Sequence, residues 1–202
     1  MLTKDKSLVS FLYHELSHEW FGNLVTIDNW QNLWLNEGFD MFLQRKTTEI
    51  IYGEDMANIE ATNGYYSFLE SVKMLGPLNS YTSLFPQFND TDPLDALSSV
   101  TYEKGFNLLY YLQRLVGKTN FQAILKQYVQ LYKFNSVDYE DFQTLFESQV
   151  TVIFPIDKAN EILANIDWNS WILRPGNPPV INTFRKFNFC KKSSFQIYQR
   201  GQ

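Results

Sequence analysis

Two histidines occur among the 202 residues, and they stand four apart, in His14-Glu15-Leu16-Ser17-His18. An α-helix turns about 100° per residue, so His14 and His18 fall one above the other on one face. Two imidazoles one turn apart can grip a single Zn²⁺, each at roughly 2.0–2.1 Å. Glu15 is rotated off that line but stays on the same half of the cylinder. It can reach a metal-activated water without ligating the metal. This is the geometry of a metal-hydrolase helix with a general base built in. A catalytic zinc takes a third protein ligand and leaves one position open. Glu37, in Asn36-Glu37-Gly38 with 18 residues between it and His18, offers a carboxylate from a second helix-forming run.

The alternative for so short a motif is a helix with two surface histidines, and a glutamate near a helix start is by default solvated. Leu8, Val9, Phe11, Leu12, Tyr13, Leu16, Trp20 and Phe21 favour a buried helix, because they wrap apolar groups around most of it. Buried imidazoles without partners are costly. Glu37 gains weight only in combination with the histidines.

The elements that must position these groups read as helices. The first runs from about Ser7 to the stop at Gly22-Asn23. Residues 24–31 form a short connection with a turn at Asp28-Asn29. A second helix spans Leu33 to Ile51 and stops at Gly53, and a third covers 54–75. Residues 76–99 carry Pro77, Pro86 and Pro93 and read as a long loop broken by turns, a kind of loop often used for function. Further helices are expected at Tyr102–Val116, 119–133 and Tyr139–Gln149, with a short one in 157–173. The fold class is mainly α. Tyr102 sits at a loop-to-helix junction, where a phenol can donate to an oxyanion. It is one of 12 tyrosines, so packing is the alternative.

Composition narrows the field. The length suits one domain with a sizeable core. A net charge of −5 gives no general attraction to nucleic acid. No run of 18 apolar residues is present, so no spanning helix is expected, and residues 1–10 lack the apolar stretch of a secretory signal. The lone cysteine, Cys190, excludes an internal disulfide framework and points to a reducing, cytoplasmic compartment. It lies far from the histidines in sequence and reads as inert.

At this point a resemblance enters. His14-Glu15-Leu16-Ser17-His18-Glu19-Trp20-Phe21-Gly22-Asn23-Leu24-Val25-Thr26, followed by Trp34-Leu35-Asn36-Glu37-Gly38, resembles the gluzincin aminopeptidases, the family of alanyl aminopeptidase and leukotriene A(4) hydrolase. The resemblance implies a thermolysin-like catalytic domain, represented here by its helical lobe. It implies one Zn²⁺ per chain held by His14, His18 and Glu37, with Glu15 as general base and peptides as substrates that lose their N-terminal residues. Tyr102-Glu103-Lys104-Gly105 is similar to the family's tyrosine motif, which implies a transition-state-stabilising phenol at Tyr102.

Asp92-Pro93-Leu94-Asp95-Ala96-Leu97-Ser98-Ser99-Val100 resembles the leukotriene A(4) hydrolase branch, where an aspartate matching Asp95 is implicated in epoxide hydrolysis. Leu97 departs from that branch, which can carry a tyrosine there. Asp167-Trp168-Asn169-Ser170-Trp171 and Pro175-Gly176-Asn177-Pro178-Pro179 resemble the end of the catalytic domain. The expected organisation is a partial catalytic domain over 1–180 and a basic, disordered tail over 181–202, with a basic interaction tail as the alternative. The resemblance also implies a β-rich domain and a Gly-x-Met-Glu-Asn strand ahead of the zinc helix. The residues before His14 do not contain them, so truncation on the N-terminal side is expected. The alternatives to an aminopeptidase are a catalytically incomplete fragment and a bifunctional epoxide hydrolase. A structural helical-repeat protein is disfavoured by the metal constellation.

Overall fold

The computed structural model describes residues 8–88 and 91–184. Among these, eight helices carry the fold: α1 (Val9–Ser17), α2 (Trp34–Tyr52), α3 (Glu54–Leu75), α4 (Ser99–Val116), α5 (Lys118–Tyr132), α6 (Tyr139–Ile153), α7 (Ile156–Ala164) and α8 (Trp168–Ile172). Glycines punctuate them. Gly53, Gly76 and Gly117 stand at the ends of α2, α3 and α4 with φ of 90°, 94° and 86°, a region that residues with a side chain avoid. The loop between α3 and α4 holds two short 3-10 turns, Ser80–Thr82 and Pro93–Ala96. Ser98 caps α4 through its hydroxyl, so that helix begins at Ser99, one turn earlier than the sequence pattern suggests.

Two features depart from the sequence reading and both bear on the site. First, α1 stops at Ser17 rather than near Gly22. Beyond it, the amides of Asn23, Leu24 and Val25 bond the carbonyls of His18, Glu19 and Trp20, a wider turn than the α ladder. Second, a pair of two-residue parallel strands joins Thr26–Ile27 (β1) to Ser136–Val137 (β2). This pair ties the α1–α2 connection to the α5–α6 connection. Asn32 strengthens the tie: its buried amide bonds Asp28 Oδ1 at 2.8 Å and accepts from Tyr139 N at 3.1 Å.

The apolar side chains of α1 do not cover that helix as expected. Leu8, Phe11, Leu12, Leu16 and Trp20 are exposed, whereas the buried positions are His14 and Ser17. The face that α1 turns to α2 is therefore its histidine face.

The core is aromatic. Phe39 lies 4.7 Å from Phe21, 5.4 Å from Tyr128 and 5.0 Å from Phe142 between ring centroids, and Trp34 is fully buried beside it. Helices α2 and α4 cross at their glycines. A Cβ on Gly38 would sit 2.8 Å from the Gly105 Cα, and one on Gly105 would sit 2.9 Å from the Gly38 Cα. The backbones touch because neither residue has a side chain. A buried ion pair, Arg45 Nη2 to Glu103 Oε1 at 2.7 Å, spans the same two helices. The Arg45 guanidinium also lies 4.0 Å over the Phe106 ring.

The packed body continues past position 180. The Asn182 side chain donates to Asn107 O at 2.8 Å, and Phe184 lies 5.3 Å from the Tyr110 ring. The rest of the expected tail, 185–202 with Cys190, lies outside the described residues.

Candidate metal centre

Helix α1 presents His14 on its buried face, and His18 follows at its C-terminal cap, still in right-handed helical geometry at φ −58° and ψ −19°. One turn therefore separates the two rings, whose centroids are 5.0 Å apart. Glu37 enters from the first turn of α2. Its Oε2 lies 3.2 Å from His14 Nε2 and 3.9 Å from His18 Nε2. One ligand atom from each of the three residues lies within 4.8 Å of the others.

The donor set fits zinc. Tetrahedral bonds of 2.0–2.1 Å put neighbouring ligand atoms about 3.4 Å apart, and the two distances to Glu37 fall on either side of that value. Two imidazoles, one carboxylate and an open position match the composition of catalytic rather than structural zinc sites.

Around the cluster the charges are set by burial and contact. His18 Nδ1 lies 2.5 Å from the buried Asp40 carboxylate and 3.1 Å from Phe21 O. The bond to Asp40 pushes the His18 imidazolium up to about 9, against the opposing effect of burial. Burial in turn pushes Asp40 up to about 6, although His18 beside it favours the charged form.

Tyr102 lies in the first turn of α4, and its ring stacks on His14 at 5.8 Å between centroids. Burial, then the Glu37 carboxylate and Glu15, pushes the phenol up to about 12, so it remains a proton donor across the physiological range. Glu15 itself is exposed on α1, near enough for its charge to act on Tyr102. The structure thus brings His14, His18, Glu37, Glu15 and Tyr102 together. It does not bring Asp95 into the metal cluster: that residue sits in the Pro93–Ala96 turn with an exposed side chain.

The profile of the peptidase family M1 domain matches residues 1–171. The chain belongs to peptidase family M1. Leukotriene A-4 hydrolase of Xenopus laevis is 41% identical over 181 residues, covering 89% of this chain and 29% of that protein. Leucine aminopeptidase 2 of Neosartorya fischeri is 39% identical over 181 residues, covering 89% and 28%. In fold, this M1 chain superposes on native leukotriene A4 hydrolase from Saccharomyces cerevisiae with a TM-score of 0.80 at 34% identity, over 88% of this chain and 28% of that one. The chain therefore spans less than a third of the length of these relatives. The mainly α, gluzincin-type fold expected from the sequence is the fold observed.

Four residues near the site residues in sequence gain a role only from the structure. Asp40 stands three residues after Glu37, hence on the same helical face, and that spacing was its only signal. Gly38 and Gly105 each stand within three residues of a proposed functional side chain, Glu37 and Tyr102. Lys104 is fully buried, donating to Thr82 O at 3.1 Å and Arg174 O at 2.8 Å. A groove of about 490 Å³ lies elsewhere, between Tyr13, Leu16, Trp20, Phe42, Leu43 and Phe121, and none of the three metal-cluster residues lines it.

Proposed function

We propose that this M1 domain is the zinc-binding part of a metallo-aminopeptidase that removes N-terminal residues from peptides. The observation that carries the reading is the convergence of His14, His18 and Glu37 from two helices onto one point. In this reading those three side chains hold one Zn²⁺ per chain. When bound, the metal supplies Lewis acidity toward the scissile carbonyl and lowers the pKa of a water ligand. Glu15 accepts the proton from the attacking water and returns it to the leaving amine. Tyr102 donates its phenolic proton in a hydrogen bond to the carbonyl oxygen as charge develops there. Its raised pKa keeps that proton in place.

A second reading, lipid-epoxide hydrolysis, is favoured by the leukotriene A-4 hydrolase relative at 41% identity. In that reading Asp95 is the residue that takes part in epoxide hydrolysis. The exposed position of Asp95, outside the metal cluster, ranks this reading below peptide hydrolysis. The single cysteine accords with a reducing, cytoplasmic setting. No described helix is long and apolar enough to cross a membrane.

The test uses aminoacyl fluorogenic substrates and a lipid epoxide, with and without chelator, on the wild-type chain and Glu15→Gln. The expected outcome is chelator-sensitive release of the N-terminal residue. Glu15→Gln should retain stoichiometric zinc and lose turnover, because the ligands survive and the base does not. Turnover near wild type in that variant removes Glu15 from the mechanism. Zinc uptake without turnover by the wild-type chain leaves a metal site and shows that this part alone is catalytically incomplete.

A further inference from the structure

We infer that Asp40 is a positioning residue for the metal ligand His18, fixing the tautomer and direction of that imidazole and not of His14. The inference rests on the zinc reading above. Its own support is the asymmetry between the two histidines.

His18 Nδ1 faces two acceptors: the Asp40 Oδ2 at 2.5 Å and the Phe21 carbonyl at 3.1 Å. An imidazole nitrogen between two oxygens that only accept must carry the proton. In the neutral ring that would ligate a metal the lone pair is then on Nε2, which lies 3.9 Å from Glu37 Oε2. The ring is also held from the flank, since a Cβ on Gly22 would come within 3.4 Å of His18 Nδ1. His14 has no such support: its Nε2 faces Glu37 Oε2 at 3.2 Å, while its buried Nδ1 has no hydrogen-bonding partner.

Asp40 is fully buried; its Oδ2 pairs with His18 Nδ1 at 2.5 Å, and among the described residues neither carboxylate oxygen has a further hydrogen-bonding partner. A carboxylate held this way costs stability, and one that serves only to fill space would be better replaced by an apolar side chain. Helix α2 explains the placement. Glu37 and Asp40 are three residues apart, so one helical face delivers the metal-ligating carboxylate and the carboxylate behind the second histidine. A histidine ligand whose other nitrogen donates to a carboxylate is more basic and better oriented, and loss of such a partner typically weakens metal binding 10- to 100-fold.

The experiment measures zinc affinity by chelator competition for wild type, Asp40→Ala and Asp40→Asn. It also records the ring nitrogens of ¹⁵N-histidine-labelled protein, in which the two histidines give two resolvable rings. Asp40→Ala should bind zinc about 10- to 100-fold more weakly. Asp40→Asn keeps an acceptor oxygen and should fall between Ala and wild type. The ring signals of His18 should move in both variants while those of His14 stay. Zinc affinities of both variants within about threefold of wild type, or equal movement of the two histidines, overturn the inference and leave the metal site standing. A wild-type chain that takes up no zinc overturns the metal reading and this inference together.

Discussion

At the scale of single residues, the site contains a phenol held in its donor form by its surroundings. Burial and the Glu37 carboxylate raise the Tyr102 pKa, so the hydroxyl keeps its proton, and in the proposed mechanism it donates to the substrate oxygen as negative charge develops there. Removing one such donor typically costs about 10²–10³ in kcat. Tyr102→Phe should show that loss in peptide turnover while metal analysis still finds one zinc per chain. A rise confined to KM, with kcat unchanged, would remove the phenol from transition-state stabilisation.

Lys104, two residues on, behaves oppositely. Burial lowers its pKa to about 7 from the ordinary lysine value of 10.5. Between those values the unfolded chain holds a proton that the folded chain does not, so this group makes stability rise with pH across that window. Below it both states are protonated and the full cost of the buried charge remains. His18, raised from 6.5 to about 9, acts in the other direction in metal-free protein, losing stability as pH rises through its window. The comparison that isolates the lysine is wild type against Lys104→Met. Urea unfolding from pH 6 to 9.5 should show the variant gaining on wild type at the acid end and losing that advantage toward the alkaline end.

At the scale of elements, the crossing of α2 and α4 sets the distance between Glu37 and Tyr102. Gly38 and Gly105 let the helices meet backbone to backbone. Alanine normally stabilises a helix interior by about 1 kcal/mol over glycine, but here its methyl would enter occupied space, and overpacking costs about 1–3 kcal/mol. The expected result for Gly38→Ala is a lower urea midpoint together with weaker zinc binding, since the adjacent Glu37 moves with the backbone. A midpoint at or above wild type would show that the crossing has slack.

Helix ends were legible at two glycines, Gly53 and Gly76, where α2 and α3 stop as the sequence suggests, but not at Gly22, because α1 already ends at Ser17. The early end of α1 and the β1–β2 pair were not legible. The strand pair depends on hydrogen bonds between the 24–28 and 134–137 segments, more than 100 residues apart, and no local periodicity encodes such a partner; after α1 the chain instead turns through bonds from Asn23, Leu24 and Val25 back to His18, Glu19 and Trp20.

At the scale of the whole molecule, the proposed metal would bridge α1 to α2, two helices whose connection is pinned to the α5–α6 turn. Zinc at about 100 times its Kd should stabilise the fold by about 2.7 kcal/mol. For a domain of this size that is a rise in melting temperature of roughly 5–10 °C. Calorimetry of the chelated and zinc-loaded chain checks it. No shift on loading would show that the ion does not bridge the two helices.

The apolar side chains of α1 make a related point. The pattern of Leu8, Phe11, Leu12, Leu16 and Trp20 predicts burial, yet these groups are exposed. Hydrophobic spacing identifies a face, but only the packed structure shows what covers it.

The sequence alone determined which donor side chains the proposed centre can draw on. Two histidines one helical turn apart, a glutamate between them and a distant Asn-Glu-Gly are local facts, because helix geometry fixes the spacing of the rings. The tertiary structure decided the rest. It turned the histidine face of α1 inward, set Asp40 behind His18, and closed α4 onto α2 so that Tyr102 stacks on His14. Those placements arise from contacts between segments remote in sequence. They hang on small residues and buried charges whose roles exist only once the helices have met.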